Sequence, residues 1–495
     1  AVINHGEITV NGIGSAGIQG GNASAEEAAL FENSATGLIT VNSPGAFGIR
    51  VGSQTRTENA GEIRVLNDGS IGISSQNSSG IFHTGEIHVS GQDATGVSGA
   101  NGVLFDGSGE ITVSGERAIG VSLGRGSQIL HAGTLTLSSG SATGLTGGQN
   151  TSIENTLDGL IHFEASASDA VGLLGGDSSD QTINNGSITS VAPGSVGIQV
   201  GSSSNLGINI GSMTFNADSS VGIRGGSNSL IVNEADAVLS LTGDSTTGLQ
   251  VDAGGSGINA GSLTVTGTGA VGMAGANGSS GAPSEFSNEA TGILTVSGAG
   301  AVGIDYRTFA EGQNLGQVNV QGSDSVGLRA GTDSIVRNSG EINLSGSGAI
   351  GIEIGAHSGS DQSGFINVAG PTPDEAGRLI SNDPEAGALI VMQAAGAGEE
   401  NRIENQSNAS LLADTGGFAL PGGGIAIQGS SGADVVVNAG LIQGKILLGD
   451  GNDRYLAEPG GRLAEPGGLI PDGVVLDGEA GTNTIELTQG SGALG

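Results

Sequence analysis

A glycine followed by an aliphatic residue recurs along this chain at a nearly fixed interval. Gly48, Gly72, Gly96, Gly120 and Gly144 are each 24 residues apart. The series reaches back to Gly17 and on through Gly172, Gly197, Gly222, Gly248, Gly272, Gly303, Gly327 and Gly351. Ile, Val, Leu or Met follows every one of them. Self-similarity at a period of about 20 to 50 residues marks a solenoid, in which each repeat covers the apolar face of its neighbour. Such a fold presents a long surface rather than a single pocket.

Within one period three short elements stand out. Around the recurring glycine the pattern is Ile350-Gly351-Ile352-Glu353-Ile354, with relatives Phe47-Gly48-Ile49-Arg50-Val51 and Val196-Gly197-Ile198-Gln199-Val200. Apolar residues alternate there with Gly or a polar residue, the period of a strand with one buried face. A second element reads Glu62-Ile63-Arg64-Val65, Glu86-Ile87-His88-Val89, Glu110-Ile111-Thr112-Val113 and Glu341-Ile342-Asn343-Leu344. A third is shorter: Ile81-Phe82, Val103-Leu104-Phe105, Ile129-Leu130 and Ile335-Val336. Gly, Ser, Asn and Asp separate the elements, and these residues turn the chain cheaply. Sustained apolar spacing of three and four is absent, so no helix of consequence is expected.

The expected fold is therefore all-β: a right-handed parallel β-helix with three strands per turn of about 24–26 residues. At ~4.8 Å per turn, about 19 turns predict a rod roughly 90 Å long. The regular part spans residues 1–443, and residues 444–495, where the pattern changes, are expected to cap it, because an uncovered last turn exposes core and strand edges. Asn59, Asn155, Asn233, Asn259, Asn288, Asn338, Asn405 and Asn438 all precede or enter the turn to the second strand. They fit either a hydrogen-bonded ladder along the axis or ordinary turn residues. With aliphatics on both sides, the glycines are expected to point outward as a flat stripe, or else to serve a bulge or a positive φ.

Composition narrows the class further. Gly is 97 of 495, yet hydrophobic content is 36%, too high and too regular for a flexible linker. The net charge is −35 with one lysine, Lys445, which disfavours nucleic acid and anionic membranes as partners. No cysteine is present, so thiol chemistry and disulfides are excluded. Lengthened turns interrupt the period at 20–36 with Glu26 and Glu27, at 274–291 with Pro283, and at 369–387 with Pro371, Pro373 and Pro384. Loops of this kind are candidate partner-binding sites.

From residue 444 the chain reads Leu448-Gly449-Asp450-Gly451-Asn452-Asp453 and then Asp477-Gly478-Glu479-Ala480-Gly481-Thr482-Asn483-Thr484-Ile485-Glu486-Leu487. This pair of segments closes a Gly-rich repeat with phrases such as Ala301-Val302-Gly303-Ile304 and Asn59-Ala60-Gly61-Glu62-Ile63. The combination resembles the passenger domains of bacterial autotransporters across nearly the whole chain. The resemblance implies display at the surface of a Gram-negative cell or release outside it. It also implies a passenger, or a piece of one, without its signal peptide, autochaperone region and outer-membrane barrel. The function implied is adhesion or self-association, with another surface protein or a second copy as partner. The alternative is capture of a soluble host protein, such as a complement or serum regulator, through the loops; a polysaccharide- or ester-cleaving enzyme ranks third.

Catalytic and metal motifs are weak. Gly120-Val121-Ser122-Leu123-Gly124 matches a nucleophile elbow but lies in the ordinary glycine strand. G-x-G-x-x-G occurs at 12–17, 267–272, 298–303 and 346–351, always at one phase of the repeat, so it is a corner and not a phosphate loop. His5, His83, His88, His131, His162 and His357 lack metal-ligand spacing and read as solvated or incidental. Glu62, Glu86 and Glu110 should stack on successive turns, relieved by Arg64 and His88 or by a cation. Asp450, Asn452 and Asp453 resemble one copy of a calcium-binding nonapeptide, a motif that needs tandem copies. No cofactor and no enzymatic activity are expected.

Overall fold

Short strands, three to a repeat, pair in parallel with their counterparts one repeat later. The computed structural model describes residues 1–24, 29–178, 181–203, 206–279, 282–356, 364–373, 375–381, 383, 385–396, 399–413, 424–464 and 476–488. Among them every regular element is a strand. The chain divides into two compact units, 1–240 and 241–495. Each is a stack of turns contributing to three parallel sheets, the parallel β-helix that the period implies.

In the first unit one turn comprises Arg56–Asn59, Glu62–Val65 and Ile71–Ser75, and the next comprises Gly80–His83, Glu86–Val89 and Thr95–Gly99. Pairing is in register, so that Ile63, Ile87 and Ile111 stack in one column and Val65, Val89 and Val113 in another. All six are fully buried. Full burial of one such side chain stabilises by ~1.5–3 kcal/mol, and here the cover comes from the turns above and below.

The second unit repeats the scheme with Ala310–Asn314, Gln317–Val320 and Val326–Ala330, followed by Ile335–Asn338, Glu341–Leu344 and Ile350–Ile354. The strands described after 444 keep to the same three sheets: Lys445–Gly449 pairs with Ile425–Ser430, and Arg454–Ala457 pairs with Ala433–Asn438. Thr484–Leu487 adds to Arg454–Ala457 with all four of its residues exposed.

The asparagines form a ladder. Each closes the first strand of its turn, and its amide nitrogen donates to the amide oxygen one turn on. The first unit carries Asn4 to Asn33 to Asn59, and Asn155 to Asn184 to Asn209 to Asn233, all at 2.8–2.9 Å. In the second unit the ladder runs from Asn259 through Asn288, Asn314, Asn338, Asn367 and Asn405 to Asn438. It ends on the Tyr455 hydroxyl at 3.0 Å. The left-handed corner positions fall to other residues, such as Asp93, Arg117 and Ser141 on successive turns, with φ of 53°, 55° and 55°.

The glycine column does not form an outward stripe. Gly72 and Ile73 are both buried while Ile71 is only half-buried, so the strand bends inward at the glycine and strict alternation fails. A Cβ on Gly72 would lie 2.5 Å from the Gly96 carbonyl oxygen and 3.2 Å from Val65 Cγ2. Gly96, Gly120 and Gly327 face the next turn's glycine carbonyl in the same way, at 2.6–2.7 Å. Glycine is required because backbone approaches backbone there, not because of a positive φ.

Candidate functional surface

With the aliphatic, glycine and asparagine columns inside, chemistry is left to the outward rows and the corners. On the second sheet of the first unit Glu62, Glu86 and Glu110 stack in register, next to the row Arg64, His88 and Thr112. Arg64 pairs with Glu62, His88 Nε2 lies 3.2 Å from Glu86 and 3.7 Å from Glu62, and Thr112 donates to Glu110. Glu62, Glu86 and His88 are the one group among the described residues with three ligand atoms within 4.8 Å of one another. Arg64 offsets the charge of Glu62, while Glu86 and Glu110 are met by hydrogen-bonding neighbours, His88 and Thr112. Arg117 clamps Asp93 one turn earlier at 2.9 and 2.8 Å and holds its carboxyl below the usual range.

On the first sheet of the second unit Glu285 stacks on Glu311, and Ser287, Gln313 and Arg337 stack alongside. With Ile258 and Glu289 they line an open groove of about 390 Å³. Another depression, about 370 Å³, lies beside the second sheet between Pro373, Arg378, Asn408 and Arg462. Arg378 Nη1 reaches Glu341 at 3.4 Å.

The proline-bearing loops fare unequally. Pro371 and Pro373 are exposed, and Pro373 borders the Arg378 depression. Pro283 is half-buried beside the short Ser279–Ala282 bridge. Glu26, Glu27 and Pro384 lie outside the described residues, as does His357.

Motifs that mimic catalytic ones take ordinary positions. Ser122 sits in the strand Ile119–Leu123 between Ser98 and Thr146 of the adjoining turns. In the four G-x-G-x-x-G segments the middle glycines, Gly14, Gly269, Gly300 and Gly348, hold φ of 61–67° at a corner. The last glycine of each belongs to the glycine column, buried at Gly272, Gly303 and Gly351 and half-buried at Gly17.

Two histidines overturn the expectation that all six are solvated or incidental. His83 and His131 are buried at 1% and 0% exposure, at the ladder positions between Asn59 and Asn155. His83 Nδ1 meets the Asn59 amide nitrogen at 3.1 Å and Nε2 meets the Glu110 carbonyl at 3.1 Å, which assigns the proton to Nε2. Gly107 occupies the next ladder position and brings no side chain. Both ring nitrogens of His131 and Oδ1 of Asn155 are buried without hydrogen-bond partners. Burial holds His83 below its ordinary pKa and pushes His131 down to about 4.

The calcium-like segment also splits. Asp450 and Asn452 are exposed, and Asn452 Oδ1 accepts from the Thr482 amide at 3.0 Å. Asp453 turns inward to full burial, one turn from the equally buried Asp434. No sequence motif marks Asp434, which lies inside the apolar run Ala433-Asp434-Val435-Val436-Val437. Comparison with protein-family models, curated proteins and solved structures finds no match to this chain.

Proposed function

We propose that this chain is a surface-displayed passenger of the bacterial autotransporter type that acts outside the cell by contact, through adhesion or self-association. The observation that supports this most is the commitment of the inward columns to stacking. In the first unit one outward row is small and polar over four successive turns, Ser74, Ser98, Ser122 and Thr146. Repetition of weak, equivalent contacts suits multivalent attachment, where linked sites multiply affinity without any strong single site.

The test is to display the full chain on otherwise non-adhesive cells and to measure settling and attachment. Clumping that soluble chain inhibits is the expected result. At a net charge of −35, self-association should also strengthen as salt shortens the screening length from ~30 Å at 0.01 M to ~8 Å at 0.15 M. Cells that neither clump nor adhere across that range would contradict the proposal. Exposed Pro371 and Pro373, the latter beside Arg378, favour a second reading, capture of a soluble protein by that loop. Retention of one serum protein, lost when residues 369–376 are replaced by Gly and Ser, would select it.

A further inference from the structure

The depression beside the second sheet of the second unit runs against the charge of the rest of the chain. The protein carries 49 acidic and 14 basic residues, yet no Asp or Glu is among the described residues that line it. Two arginines are, Arg378 and Arg462. Register pairing sets both on one outward column, in the order Arg378, Ser410, Leu441, Arg462. Three steps of ~4.8 Å place the two ends ~14 Å apart. The trough between them has a volume of about 370 Å³.

These two arginines are less engaged than others of the chain. Arg64, Arg117, Arg402 and Arg454 each hold a carboxylate of their own or an adjoining turn. Arg462 is exposed and enters no ion pair among the described residues. Arg378 meets Glu341 at 3.4 Å, longer than a strong charge-assisted bond. A guanidinium with open donors matches a carboxylate through two parallel hydrogen bonds. The wall that carries Pro373 is tied down by Asn408, whose amide nitrogen donates to the Gly370 carbonyl at 3.0 Å. That tie shapes the trough before any ligand enters, which lowers the cost of binding.

We propose that this trough binds a short oligosaccharide bearing carboxylate groups. Arg462 and Arg378 receive the acid groups, Ser410 meets ring hydroxyls, and half-buried Leu441 supports the C–H face of a ring. A peptide fits less well. Ser410–Leu412 and Leu441–Gln443 are paired on both sides, so the floor offers no strand edge for a peptide backbone to join. A long polyanion is disfavoured too, because beyond the trough it meets a chain of net charge −35. The site goes beyond the contact role proposed above. It is tested in solution and that role on cells, so failure of one is distinguishable from failure of the other.

The test uses the full chain at neutral pH, with tetragalacturonate as the probe and ligand-observed NMR as the readout. Saturable binding with a Kd below ~1 mM is expected. The fully methyl-esterified tetramer keeps every ring but loses its charge, and should bind at least ~10-fold more weakly. Arg462→Gln alters an exposed side chain outside any ion pair, so it should fold like the parent and yet lose at least ~10-fold in affinity. Arg337→Gln, at the acidic groove of the first sheet, should bind like the parent. Absence of saturable binding up to ~10 mM, equal binding of the ester, or unchanged affinity in Arg462→Gln would each overturn the proposal. So would tighter binding of a Glu-rich peptide than of the tetramer, which would make the trough a protein-binding site.

Discussion

Acidification should loosen the first unit around His131 before it affects turns with an unbroken asparagine ladder. The His131 ring is fully buried, neither nitrogen has a hydrogen-bond partner, and its pKa falls from 6.5 to about 4. Desolvation is the main cause. The Leu160 and Gly133 backbone groups oppose it weakly, and His83 two turns away adds to it. Because the folded pKa lies below the unfolded one, the neutral ring's contribution is intact above pH 6.5. It shrinks as pH falls and is gone below about pH 4.

The fall from 6.5 to about 4 corresponds to ~3.4 kcal/mol in full, of which about 2.5 kcal/mol is lost by pH 4.5. That is roughly a 70-fold rise in local opening. Stacked repeats open locally, so hydrogen exchange resolved by segment is the suitable assay. Protection in Leu104–Gly107, Gln128–His131 and Ser152–Asn155, corrected for the intrinsic rate, should fall by that factor between pH 7.5 and 4.5. His131→Asn places an amide where it can donate to Asn155 Oδ1, and should abolish most of the fall. Equal pH dependence in both proteins would refute the reasoning, since the carboxylates they share cancel in the comparison.

Two further substitutions probe the interior columns. Gly120→Ala puts a Cβ 2.7 Å from the Gly144 carbonyl oxygen and should destabilise by about 1–3 kcal/mol through strain, whereas Ser122→Thr on the same strand should be neutral within ~0.5 kcal/mol; thermal melts of the two compare them directly. Asn209→Leu removes the bonds to Asn184 and Asn233, at 2.8 and 2.9 Å, and leaves the Asn184 amide nitrogen only its longer bonds to the Gly186 and Ser212 carbonyls, at 3.2 and 3.3 Å, for an expected loss of about 1–3 kcal/mol in chemical denaturation.

Much of this architecture is visible in the chain itself, because a period survives translation into space. Ile63, Ile87 and Ile111 are 24 residues apart and stack. The direction of the glycines was not visible. Ile71 and Ile73 flank Gly72 as in an ordinary alternating strand, and only the bend at the glycine, set by contact with the next turn, buries both Gly72 and Ile73. The burial of two histidines does leave a trace in the sequence. Positions 59, 83, 107, 131 and 155 are spaced by 24, so His83 and His131 fall on the asparagine phase. For Asp434 and Asp453 the step is 19, and with the period lost nothing linear connects them.

The central claim is that successive turns lie in register, one directly on the next. The chain has no cysteine, so an introduced pair reports on that geometry alone. Ser98→Cys with Ser122→Cys joins partner positions of adjacent strands and should oxidise readily to a disulfide, the neighbouring Cα atoms standing ~4.8 Å apart. Ser98→Cys with Thr146→Cys, two turns apart at ~9.6 Å, should stay reduced within one molecule. Cross-linking of the second pair in preference to the first would contradict the stacked register on which the whole account is built.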